Sequence, residues 1–470
     1  MPITREDALA LGRLDAHDQA RLVRSGEASA AELVEAAIVR IDCLEPALNA
    51  VTWRDDARAR ERAARPAAAA GGWQGVPYLL KDGMDYAGLP SACGSRSRAA
   101  EAPAAAGSAY TDRLDAAGLI VLGKSNAPEF GLLPTTESVL HGPTLNPWHP
   151  GRSPGGSSGG AAVAVASGMV PVAHAADGGG SIRIPAACCG VFGLKPSRGG
   201  NVRARGVHII EDLLACDGLL GRSVRDVAHA FRLTHPDPEA AVEPPPGRLR
   251  IALALDNLAG EAPHPQVADA VRRAADLCED LGHEVVPLRL PVDGEAVTDC
   301  FRTIWACLAG DIVAQCRAAH GEAALPDLLE PWTLALAEWG TGLGCRDIEA
   351  MYLQVARATD ALAALHRDCA VVLSPVLRAP PVPLGALAPV RAFDGLMRDM
   401  FDYVSYTPLH NLAGTPAMSV PLFESADGLP IGAMFAAARG RDGLLLQLAA
   451  ELESARPWAG RWPPRSVAHA

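Results

Sequence analysis

The chain has 470 residues, 49% hydrophobic and 20% charged, which is enough apolar material for a large buried core. Its 42 Lys and Arg against 54 Asp and Glu leave a net charge of −12, which argues against a nucleic-acid or anionic-membrane surface. No apolar run reaches the ~18 residues of a membrane span, the start lacks an apolar signal region, and the 11 cysteines contain no CxxC pair, so a cytoplasmic enzyme without disulfide framework or zinc site is expected.

In chain order, Ser29-Ala30-Ala31-Glu32 reads as a capping box opening a helix through Ile41, with Leu33, Ala36 and Ala37 on its apolar face. Residues 76–80 predict a strand whose end delivers Lys81, the lysine most strongly drawn inward. Burial disfavours an ammonium, so such a lysine can act as a base. Residues 118–122 predict a second strand, followed by a loop through Glu129. The stretch from Gly118 to Ser125 satisfies the P-loop pattern letter for letter, but Leu119-Ile120-Val121-Leu122 would itself be strand, and Pro128 interrupts any following helix. A strand running into a loop is the better reading, and no nucleotide is expected.

Two glycine-wrapped serines follow, Gly155-Gly156-Ser157-Ser158-Gly159-Gly160 and Asp177-Gly178-Gly179-Gly180-Ser181-Ile182-Arg183. Glycine neighbours leave a serine unobstructed and offer bare N–H groups beside its hydroxyl, as acyl transfer requires. A flexible linker is ruled out by the apolar run 161–172 between the clusters, read as a helix over 158–168 and a buried strand over 170–175. His149 and His174 lie nearby and are read as structural. Asp177 and Arg183 are read as a pair that holds the second loop in place.

A Pro-rich break at 235–247 includes Pro236, Pro238 and Pro244-Pro245-Pro246. Strands at 249–255 and 283–288 flank an amphipathic helix at 265–281, a β-α-β unit. Residues 290–395 are read as mostly helical, carrying Trp305, Trp332 and Trp339, and Asp427-Gly428 marks a hairpin between 417–423 and 430–436.

The segment 155–196, together with Gly75 to Asp82, Gly123 to Gly131, Asn146-Pro147-Trp148 and Gly414-Thr415-Pro416-Ala417, resembles the amidase signature family of serine hydrolases. The resemblance implies a single large α/β/α domain over 1–470, a twisted mixed sheet with helices on both faces. Within it, 1–70 is an N-terminal helical segment, 71–235 the catalytic core, 236–400 a variable pocket region and 401–470 a return to the core. It further implies a Ser-cisSer-Lys triad: Ser181 as nucleophile, Ser157 as the bridging serine with an unusual cis peptide, and Lys81 as base. The resemblance also implies an oxyanion hole formed by the N–H groups of Gly178, Gly179, Gly180 and Ser181. Many relatives carry Thr at the position of Gly178 and a larger residue at that of Cys188. Gly131, Leu132, Leu133 and Trp305 are expected to line an apolar substrate pocket.

The resemblance implies no metal and no cofactor. The expected partner is a small-molecule amide, ester or carbamate (urethane), without nucleic acid or membrane, for a chain acting as monomer or homodimer. The look is closest to the branch that hydrolyses 6-aminohexanoate cyclic dimer, with aryl amidases and urethanases as neighbours. Competing readings are the glutaminase subunit of a tRNA-dependent amidotransferase, against which Ile184 stands where that family has Gln, and a noncatalytic binding scaffold.

Overall fold

Ser29 and Glu32 form the predicted capping box, each backbone N–H donating to the other's side chain, and the helix runs over Ala30–Leu44. The computed structural model describes residues 3–65, 72–205, 209–239, 243 and 247–470. Its strands are β1 (Val51–Arg54), β2 (Pro77–Lys81), β3 (Ile120–Ser125), β4 (Glu137–Ser138), β5 (Gly142–Pro143), β6 (Val172–Asp177), β7 (Gly193–Lys195), β8 (Cys216–Gly221), β9 (Arg250–Leu253), β10 (Glu284–Pro287), β11 (Val371–Pro375), β12 (Ala417–Glu424) and β13 (Pro430–Ala437).

Five strands pair in the order β1-β3-β2-β6-β8 and six in the order β10-β9-β11-β13-β12-β7. The two ladders meet where Phe192 and Gly221 exchange backbone hydrogen bonds of 2.9 and 3.2 Å, so one mixed sheet runs through the molecule. Alternation along each strand serves both faces. On β2, Tyr78 and Leu80 pack with Trp73 and Tyr110, while Leu79 between them packs with Val34, Ile41 and Val163 of the helices Ala30–Leu44 and Gly159–Ser167. On β11, Val371 and Leu373 meet Val271 and Leu445 of the helices Pro265–Asp280 and Asp442–Ala455. This is the expected α/β/α arrangement.

The β9–helix–β10 unit is parallel, as read, and the β12–β13 hairpin turns through Gly428 at φ +75°. Three expectations need correction. β3 continues through Gly123, Lys124 and Ser125, predicted as loop, because β1 lies antiparallel beside them with Trp53 opposite Lys124. β6 runs to Asp177 rather than stopping at Ala175, because β8 pairs with it along its whole length. β11 is a fully buried strand inside the stretch read as mostly helical; it pairs parallel to β9 and antiparallel to β13. Of the Pro-rich break, Pro236 and Pro238 lie in bends after the helix Val224–Thr234, and Pro244-Pro245-Pro246 lie outside the described residues. Among the described residues no helix is long and apolar enough to cross a membrane.

Candidate active site

β2 ends on Lys81, 7% exposed, between its parallel neighbours β3 and β6. Its Nζ donates to Ser157 Oγ at 2.7 Å and reaches the Ala176 carbonyl at 3.4 Å. Ser157 is 2% exposed, and its peptide bond to Gly156 is cis. Thr136 Oγ1 clasps the same loop, donating to the Gly155 carbonyl at 2.9 Å and accepting from Gly159 N–H at 3.2 Å. Gly131 approaches from the other side at φ +70°, where a Cβ would stand 3.0 Å from Ser157 Oγ. Lys124, the invariant letter of the P-loop pattern, is fully buried in β3, which extends past the strand read from the sequence, with its Nζ on the Met84 carbonyl.

Ser181 sits between β6 and the helix Arg183–Cys189 and opens onto a pocket. Its hydroxyl forms no hydrogen bond with another described residue, so only the Lys81–Ser157 half of the expected relay is closed here. Catalytic hydrogen bonds often tighten only when substrate is bound.

The loop before Ser181 is built around the Asp177 carboxylate. It accepts from Gly180 N–H at 2.7 Å and Ile182 N–H at 3.1 Å, and Arg183 binds it through two 2.9 Å contacts. Burial alone would raise this carboxyl, but the guanidinium beside it holds it well below the usual carboxylate range. Gly180 N–H is therefore spent on Asp177, which corrects the expectation that it faces an oxyanion. The N–H groups of Gly178, Gly179 and Ser181 form no hydrogen bond among the described residues.

Two residues that sequence reasoning missed brace this loop from the far end of the chain. Thr407 Oγ1 donates to the Gly179 carbonyl at 2.6 Å, and Asn411 Nδ2 donates to both the carbonyl and the carboxylate of Asp177 at 3.0 Å. Arg183 also donates to Thr407 O at 3.0 Å and Asn411 Oδ1 at 2.7 Å. The only signal in sequence was a pair of polar residues inside a buried stretch. Gly180 has φ +134°, and a Cβ there would collide with Thr407 Oγ1.

The pocket holds about 380 Å³ of open space, and Gly131, Leu132, Leu133 and Trp305 are among the residues lining it. Phe301, Met400, Phe401 and Val404, which were not anticipated, complete the apolar wall. Phe301 stacks on Trp305 with ring centroids 4.4 Å apart, and Trp305 Nε1–H donates to the Leu132 carbonyl at 3.0 Å. No charged side chain is among the described residues lining this space. A wider cavity, with about 1060 Å³ of open space, beside Arg198, Arg203 and Cys216 does not reach Ser181. His149 is an exposed turn residue accepting from Gly151 N–H at 3.1 Å, whereas His174 is fully buried.

Comparison with known proteins gives the family. Residues 32–446 match the family model described as Amidase. The AmiC protein of Mycobacterium tuberculosis is 38% identical over 459 residues, covering 96% of each chain. The 6-aminohexanoate-cyclic-dimer hydrolase of Paenarthrobacter ureafaciens is 36% identical over 490 residues, again with 96% of each chain covered. A solved structure of 6-aminohexanoate cyclic dimer hydrolase superimposes with a TM-score of 0.89 at 32% identity, over 97% of this chain and 99% of that one. A bacterial aryl acylamidase structure gives 0.83 at 29% identity, over 95% and 99%.

Proposed function

The chain belongs to the amidase family, hydrolases acting on amide C–N bonds, and from that premise we propose a serine hydrolase of uncharged, apolar amides that works through an acyl-enzyme. Lys81, as the free amine, takes a proton from the Ser157 hydroxyl as Ser157 takes one from Ser181. Ser181 Oγ attacks the amide carbonyl, and the N–H groups of Gly178, Gly179 and Ser181 receive the oxyanion. The relay then returns a proton to the leaving nitrogen, because an amide departs poorly as an anion. Water, deprotonated by the same relay, releases the acid and restores Ser181.

The observation that carries this reading is the 2.7 Å contact between Lys81 Nζ and Ser157 Oγ beside a pocket into which Ser181 opens. The uncharged apolar lining favours substrates without ionised groups near the reacting carbonyl. Anilides and the neutral cyclic dimer of 6-aminohexanoate meet that condition, as do carbamates and esters of similar shape. Glutamine does not, since its ammonium and carboxylate would be desolvated without partners. This disfavours the amidotransferase-subunit reading.

The test is a mass-spectrometric panel of anilides, aliphatic amides, esters, carbamates, the cyclic dimer and glutamine, with wild type beside Ser181→Ala and Lys81→Ala. Amide turnover should fall by at least about 10³-fold in both variants, by analogy with loss of a nucleophile or its base. Lys81→Ala should keep more ester than amide activity, because better leaving groups need less proton donation. A fluorophosphonate should label Ser181 in the wild type; an unlabelled, inactive protein would instead be a binding scaffold.

A further inference from the structure

The β2–β6 ladder stops at the pair Leu79 and Ala173, two residues before the lysine. Beyond it, Lys81 N–H finds no ladder carbonyl on β6 and donates instead to His174 Nδ1, at 3.3 Å. The other ring nitrogen, Nε2, lies 3.0 Å from Asp217 Oδ1 on β8. Asp217 Oδ1 in turn accepts from Arg205 Nη2 at 2.9 Å. His174 is wholly buried and Asp217 only 6% exposed.

These contacts leave the imidazole one self-consistent state. An ionised carboxylate only accepts, so Nε2 carries the ring proton, and Nδ1 presents a lone pair to the Lys81 N–H. An imidazolium would instead point a second N–H at that backbone N–H. The groups facing His174 are Asp217 and Arg205 on one side, Lys81 on the other, and the Tyr110 ring at 5.5 Å. Burial pushes the imidazole below its ordinary value, and Asp217 only partly opposes this, consistent with a neutral ring. Asp217 is itself held low by Arg205 against the effect of burial.

We infer that the neutral His174, oriented by Asp217, is a positioning residue that fixes the backbone of Lys81 and so aims its amine at Ser157. The inference rests on the proposed role of Lys81 as the base. At Lys81 the ladder persists on the β3 side but has ended on the β6 side, where His174 takes its place. A pivot at Lys81 displaces Nζ, at the far end of a four-carbon stem, by more than the backbone moves. A displacement of about 1 Å in a catalytic constellation costs on the order of 10²-fold in rate.

Two substitutions separate this role from simple core packing. His174→Asn places an amide oxygen where Nδ1 stands and keeps the acceptor for Lys81 N–H. His174→Gln places its amide near Nε2, keeping the contact to Asp217 but losing the acceptor. With an anilide substrate, kcat of His174→Gln should fall about 10- to 100-fold with KM changed less than about 3-fold, and fluorophosphonate labelling of Ser181 should slow in parallel. His174→Asn should recover kcat to within about 5-fold of wild type while its Tm falls as much as that of His174→Gln or more. Wild-type kcat in His174→Gln, or equal losses of kcat in the two variants tracking a shared fall in Tm, would overturn the inference. A wild type that hydrolyses nothing and is not labelled at Ser181 would remove the hydrolase reading, and this inference with it.

Discussion

Asp177 and Arg183 are both completely buried, and each offsets part of the other's cost of leaving water. Their bidentate contact also fixes the direction of the Gly178–Ser181 backbone, since the same carboxylate holds Gly180 N–H and Ile182 N–H. Arg183→Met would leave a carboxylate buried without its cation, and about 3–5 kcal/mol of stability should be lost in urea unfolding. Arg183→Lys should recover little of this, because an ammonium cannot serve Asp177, Thr407 and Asn411 together. A loss below about 1 kcal/mol would show that the pair does not hold the loop. The pH dependence follows from Asp177, whose carboxyl is lower in the folded state than its ordinary 3.8. Its stabilising contribution is complete above that value and is lost as pH falls below it. The pairing was legible because both residues flank one glycine run, a spacing of six. Thr407 and Asn411 lie more than 220 residues away, and no local pattern ties them to the loop.

The helix Gly294–His320 carries the aromatic wall of the pocket. Phe301 and Trp305 are four residues apart, hence on one face, and their rings rest on Gly179 and Gly178. A Cβ on Gly178 would sit 3.3 Å from the Trp305 ring, so the wall approaches the loop this closely because residue 178 has no side chain. Trp305→Leu should open the pocket beside the reacting carbonyl. The ratio of kcat/KM for a bulky over a small anilide should rise by about 10-fold, the scale of small steric changes in apolar pockets. An unchanged ratio would place the acyl group elsewhere. Trp305 could be named from the sequence through its family position, but Phe301 could not, although the i, i+4 spacing was available. Met400 and Phe401 were harder to find. They lie on the helix Phe393–Tyr403, where Met400 is buried and Phe401 half-buried, and periodicity does not distinguish a core contact from a pocket wall.

Across the whole molecule, what the sequence concealed was long-range pairing. β11 escaped recognition because Val371-Val372-Leu373 is a continuous apolar run without alternation, buried on both faces between β9 and β13. The serine and lysine motifs were readable because each is local, but their meeting depends on β2 and β6 lying side by side. A second long-range junction joins the part of the chain that carries Lys81, Ser157 and Ser181 to the helical region that walls the pocket. Glu129, 2% exposed, accepts from Ser95 Oγ at 2.7 Å in the core and from Glu330 N–H and Thr333 Oγ1, at 2.9 and 2.5 Å, across the junction. Glu330, 5% exposed, takes Val139 N–H at 2.7 Å. Burial first, and the neighbouring Glu129 carboxylate second, push Glu330 up to about 8 from its ordinary 4.5. Between those values the folded chain holds a proton that the unfolded chain has released, so this group's contribution is complete below 4.5 and declines as pH rises towards about 8. Glu330→Gln keeps the acceptor for Val139 N–H and removes the titration. Its Tm should therefore match wild type near pH 4.5 and exceed it at pH 8, measured by scanning calorimetry at several pH values. Parallel Tm curves for the two proteins would mean that the junction does not store a proton and that its hydrogen bonds hold the helical region to the core equally well at both pH values.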